Sequence, residues 1–73
     1  MDTEAVDQQI TEARANLSEL LAAVRMLNRL YFLNSRNKRQ AAVVPAPLGE
    51  LIERVGGVES AAEILKARLG NDS

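Results

Sequence analysis

Cysteine, histidine and tryptophan are missing altogether from this sequence of 73 residues, and one tyrosine and one phenylalanine are its only aromatics. Without cysteine there is no disulfide, the usual staple of a small secreted scaffold. A zinc site would have to be built from carboxylates alone. Neither a Ser-His-Asp nor a Cys-His nucleophile pair can be assembled, and no side chain titrates near neutrality as histidine does. The expectation is a protein that is not an enzyme and carries no metal or cofactor. Long apolar runs are missing too: none approaches the roughly 20 residues of a membrane helix. The opening Met1-Asp2-Thr3-Glu4 puts acids where a secretory signal carries lysine or arginine. A cytoplasmic protein without membrane association is therefore expected. A chain this short buries little apolar surface by itself, so association with a second copy is the expected source of stability.

What is present is unevenly spread. The formal net charge is −1. Residues 1–19 carry Asp2, Glu4, Asp7, Glu12 and Glu19 against Arg14, a balance of −4. Residues 20–49 carry Arg25, Arg29, Arg36, Lys38 and Arg39 with no acid, a balance of +5. Residues 50–73 carry Glu50, Glu53, Glu59, Glu63 and Asp72 against Arg54, Lys66 and Arg68, a balance of −2. Such a basic middle either faces a polyanion such as nucleic acid or solvates a surface.

Apolar periodicity divides the chain further. Ile10, Ala13, Leu17, Leu20, Leu21, Val24 and Leu27 recur at helical spacing. They predict a helix over 11–27 capped by the Thr11 hydroxyl, with a kink or a second helix start near Asn16. Leu30-Tyr31-Phe32-Leu33 and Ala41-Ala42-Val43-Val44 flank the polar cluster Asn34-Ser35-Arg36-Asn37-Lys38. This reads as a β-hairpin with strands 29–34 and 40–45, and Asn37 is the residue best able to take a positive φ in its turn. Pro45-Ala46-Pro47 stops the second strand and opens a helix with the stripe Leu48, Leu51, Ile52 and Val55. Gly56-Gly57 ends that helix. A last one is predicted over 58–69 and punctuated by Gly70. The two C-terminal stripes either fold back onto the hairpin or await a partner protein. Arg36, Lys38 and Arg39, on the hairpin turn, either grip phosphates or keep the turn soluble. Asn16 either reads a base edge or breaks the helix.

Two of these blocks together resemble the Phd/YefM family of bacterial antitoxins. Thr11-Glu12-Ala13-Arg14-Ala15-Asn16-Leu17-Ser18-Glu19-Leu20 is similar to the family's opening helix, Ser/Thr-Glu-Ala-Arg-x-x-Leu-Ser-x-Leu/Val. The block from Leu30 to Pro45 is similar to its basic hairpin and aligns without a gap. Leu48 to Val55 takes the place of its leucine-rich helix. The departures are Asn34 for the usual Thr, Ser35 for the first basic residue and Asn37 for the turn glycine. The residues before Ile10, where Val6 and Gln8 alternate, would supply a short first strand.

The resemblance implies an α+β fold in which the N-terminal helix and β-hairpin form a dimeric core, with a C-terminal helical arm that binds a toxin. Residues 1–47 would dimerise and bind DNA, and residues 48–73 would bind the partner. The function implied is the antitoxin of a type II toxin–antitoxin module. Such a homodimer represses its own operon at a palindromic operator and neutralises the cognate protein toxin. The residues that would contact DNA are Arg14, Asn16, Arg36, Lys38 and Arg39. Those that would contact the toxin are Leu51, Ile52, Val55, Val58, Leu65 and Leu69. Two other expectations stand beside it: a stand-alone repressor of the same fold, and a protein inhibitor or adaptor that never touches DNA.

Overall fold

The computed structural model describes residues 5–71, which form a small α+β domain with a three-stranded mixed sheet and four helices. The first strand, β1 (Ala5–Gln9), runs directly into helix α1 (Ile10–Ala15). The helix therefore opens two residues before Glu12. Thr11 lies inside it, and the position before it, Gln9, makes no side-chain cap bond. A hydroxyl cap is not needed where a paired strand already fixes the backbone at the helix start.

Asn16 breaks the predicted long helix in two. Its backbone leaves the helical region at φ −120°, ψ 36°. Its amide N–H and its side-chain Nδ2 both donate to the Glu12 carbonyl, at 3.0 Å and 3.3 Å. Its own carbonyl accepts from the Leu20 amide at 3.0 Å, inside helix α2 (Leu17–Leu27). Asn16 thus satisfies the end of one helix and the start of the next, the second start expected there. Asn28 then closes α2 in a left-handed conformation, φ 56°.

The hairpin is tighter than its polar composition suggests. β2 (Leu30–Ser35) and β3 (Lys38–Val43) are joined by Arg36 and Asn37 alone, with φ of 56° and 64°. Two successive positive φ values define the type I′ turn that matches strand twist. Asn37 takes the predicted conformation, and Arg36 takes it as well. The ladder therefore absorbs Ser35 and Lys38, which the pattern left in the turn, and β3 stops at Val43 rather than 45. Leu33 pairs with Ala41, but Asn34 pairs with Arg39, so Gln40 is an extra residue bulging from β3.

The sheet order is β1-β2-β3, with β1 parallel and β3 antiparallel to β2. Its alternation puts Val6, Gln8, Tyr31, Leu33 and Val43 on one face. Tyr31, Leu33 and Val43 pack against Ala13, Leu20 and Val24, each of which is buried. Among the described residues, the helices of the core pack on this face and not on the opposite one, which carries Asp7, Phe32 and Asn34.

Helix α3 (Ala46–Arg54) starts at Pro45, whose carbonyl accepts from the Leu48 and Gly49 amides. Gly56 and Gly57 turn the chain at φ 112° and 110°, backbone that an L side chain rarely adopts. Helix α4 (Val58–Asn71) returns alongside α3 and runs through Gly70 rather than stopping at it. This helical hairpin packs on itself rather than on the sheet, and the Cα radius of gyration is 13.6 Å. A compact chain of this length would have about 11 Å. The accessible surface is 6081 Å², against about 4,450 Å² for a compact protein of this mass. Leu20→Ala should lower the unfolding free energy by about 2–4 kcal/mol, measured by urea titration, because it empties the centre of so small a core.

Candidate functional site

The sheet register sorts the candidate residues by end. Gln9 lies beside Asn34 in the parallel pair, so α1 begins at the same end of the sheet as the hairpin turn. Arg36 in the turn and Lys38 just after it are exposed at that end, and Arg14 is exposed on α1, the helix that begins there. Asn16 follows at the α1–α2 junction, exposed, with its side-chain amide engaged by the Glu12 carbonyl. Glu12 is the acid of α1's first turn at this end.

Arg39 stands apart from the other cations. Its Nε donates to Asp7 Oδ1 at 2.9 Å and its Nη2 to Oδ2 at 3.1 Å, a bidentate pair. Its guanidinium carbon lies 3.7 Å from the Phe32 ring centroid. Asn34 Nδ2 donates to the same carboxylate at 3.3 Å. The two-residue turn makes this possible, because it sets Arg39 opposite Asn34 on the uncovered face. The hydrogen bonds from Arg39, and next that from Asn34, hold the Asp7 carboxyl below its ordinary pKa, with slight desolvation opposing them. The same pairing pushes Arg39 upward. Both side chains remain about half exposed, so Arg39 is shared between this cluster and solvent.

The other end of the sheet carries the apolar surface. β3 leaves the turn and delivers α3 beyond Val43, where β2 begins. Between α3 and α4 lies a shallow groove of about 150 Å³ lined by Leu48, Leu51, Ile52, Val55, Ala61, Ile64 and Leu65. Four of the six sequence-derived partner residues line it: Leu51, Ile52, Val55 and Leu65. Val58 and Leu69 do not, and remain 76% and 70% exposed on α4. The stripe reading missed Ile64, whose signal was its place three residues after Ala61, the one buried residue of the hairpin among those described. Leu48 lines the groove as well. At the Gly-Gly end the groove adjoins an acidic edge of Glu59 and Glu63 around Val55 and Ile64.

A larger recess of about 500 Å³ separates α2 from the segment leading into α3, bounded by Leu21, Val24, Arg25 and Val43 to Pro47. Leu21 at its rim is exposed, as are Leu17 and Leu27 elsewhere on α2. Among the described residues no group of acidic side chains is placed to hold a metal ion, and no helix is long and apolar enough to cross a membrane.

The Asp7–Arg39 pair links stability to acidity. A carboxyl whose folded pKa lies below its ordinary value of 3.8 stabilises fully above that value and ceases to do so as pH falls through the lowered one. The difference in melting temperature between the native chain and Asp7→Asn should thus stay constant from about pH 7 to 5 and close below about pH 4. Compared with models of protein families, with curated proteins and with solved structures, the chain matches none.

Proposed function

We propose that this chain is the antitoxin of a type II toxin–antitoxin module, of the Phd/YefM kind that its helix and hairpin blocks resemble. In this reading it is a cytoplasmic homodimer that binds operator DNA and neutralises a protein toxin. One observation carries the reading: the exposed cations Arg36 and Lys38 sit at the turn end of the sheet, where the helix bearing Arg14 begins, and the apolar helical hairpin leaves from the other. The strand, helix, hairpin and leucine-rich helix also follow one another in the order the resemblance implies.

The division of labour follows from the chemistry at each end. Guanidinium and ammonium groups on a short helix and a tight turn meet phosphates without ordering long loops. Arg14, Arg36 and Lys38 serve this role, with Arg39 partly neutralised by Asp7 and Asn16 placing α1 relative to α2. The hairpin residues Leu51, Ile52, Val55, Val58, Leu65 and Leu69 supply apolar area to the toxin. Dimerisation covers apolar surface that one chain leaves in water, at Leu17, Leu21 and Leu27 on α2.

At micromolar concentration, sedimentation equilibrium should give at least twice the chain mass of 8.0 kDa. Three to four cations per chain allow about six to eight phosphate contacts in a dimer, so log K for the upstream operator should fall with log salt at a slope of about −5 to −7. Arg14→Ala should flatten that slope by about two, with no change in dimer mass. Leu65→Glu should abolish protection of cells against the toxin encoded beside this chain while operator binding persists, because the carboxylate would be left unpaired in an apolar contact. A chain that binds no operator, or that protects cells despite Leu65→Glu, would refute the corresponding half of the proposal.

A further inference from the structure

Helix α4 carries a second apolar stripe beside the face it turns to α3. Ala61 is buried on the inner side of the hairpin. Val58, Ala62, Leu65 and Leu69 instead recur at steps of four, three and four residues, the a/d spacing of a coiled-coil seam. Val58, Leu65 and Leu69 are 76%, 61% and 70% exposed. With Val58 and Leu65 at d, and Ala62 and Leu69 at a, the e positions fall to Glu59 and Lys66.

That pair of charges selects both the occupant and its direction. In an antiparallel pair of identical helices, e positions face e positions. Glu59 of one copy then meets Lys66 of the other, and twofold symmetry repeats the contact. In a parallel pair, e faces g, and Lys66 would meet Ala61, which has no charge to offer. We propose that the Val58–Leu69 seam of α4 pairs antiparallel with the same seam of a second copy of this chain. The two α3 helices flank the pair, bringing Leu48 and Leu51 to its edges and giving a four-helix arrangement.

This pairing does not depend on the antitoxin reading. Where both hold, the second copy covers Val58, Leu65 and Leu69, so a toxin must displace it to bind.

Because the native chain has no cysteine, Ala67→Cys gives a unique dye site on the exposed side of α4, away from the seam. Full-length chains carrying donor or acceptor dyes are mixed, and energy transfer is followed against concentration. Glu59→Lys in every copy, or Lys66→Glu in every copy, should weaken association about tenfold, since each replaces two attractive contacts with two repulsive ones. Mixing chains that carry Glu59→Lys with chains that carry Lys66→Glu should restore it. Both positions are exposed, and circular dichroism should show the helix content of each variant unchanged. Transfer that ignores both substitutions would place the contact elsewhere and overturn the proposal. A failure to recover on mixing would also overturn it and leave the seam to a different protein. Neither result touches the operator-binding assay, which tests the antitoxin reading separately.

Discussion

Three buried side chains, Ala13, Leu20 and Val24, hold two helices against one face of the sheet, and the rest of the architecture follows from how little this contact encloses. A helix pair of 6 and 11 residues can cover one face of three short strands and no more. The second sheet face is therefore left to a polar cluster, Asp7 with Arg39 and Asn34, laid over Phe32. The C-terminal helices make their main contact with each other. Apolar side chains that a larger protein would bury remain at the surface.

Two local backbone devices decide where the side chains of the hairpin go. The type I′ turn places Arg36 at the extreme end of the hairpin and sets Arg39 in line with Asn34, and the Gln40 bulge beyond them brings Val43 onto the face that packs against the helices. Had the ladder run on from Arg39 without the extra residue, Val43 would have fallen opposite Leu30 on the uncovered face. The same five-residue segment thus sends one arginine outward and ties the other to Asp7.

Much of this was legible in the sequence. The helical repeat from Ile10 to Leu27 located both N-terminal helices, and Asn16 marked the break because its side chain competes for backbone hydrogen bonds. The proline pair and the double glycine bounded α3 well. The first strand was faint, since only Val6 and Gln8 carry its alternation. Its pairing is supplied by a partner strand far along the chain, which no local pattern encodes. The bulge was invisible for the same reason: an extra residue shows only when two strands are set side by side. Arg39 read as one more cation of the turn, because its partner Asp7 is 32 positions away. On α4 the stripe was seen but not its two edges. Composition tells that Ala61, Ile64 and Leu69 are apolar, while only the crossing of α3 decides which of them it covers.

The parallel pairing of β1 with β2 also sets a schedule for the chain as it is synthesised. Ala5 lies beside Leu30 and Gln9 beside Asn34, so the first strand has no partner until both helices and the second strand have followed it. At ribosomal rates of about 5–20 residues per second, that interval is roughly 1–5 s. The β2–β3 turn, by contrast, can close in microseconds once its residues are free. During those seconds the segment from Ala5 to Gln9 is an unpaired strand with open hydrogen-bonding groups. Its polar side chains Asp7, Gln8 and Gln9 then act as gatekeepers, making the segment a poor template for pairing with a neighbouring nascent chain.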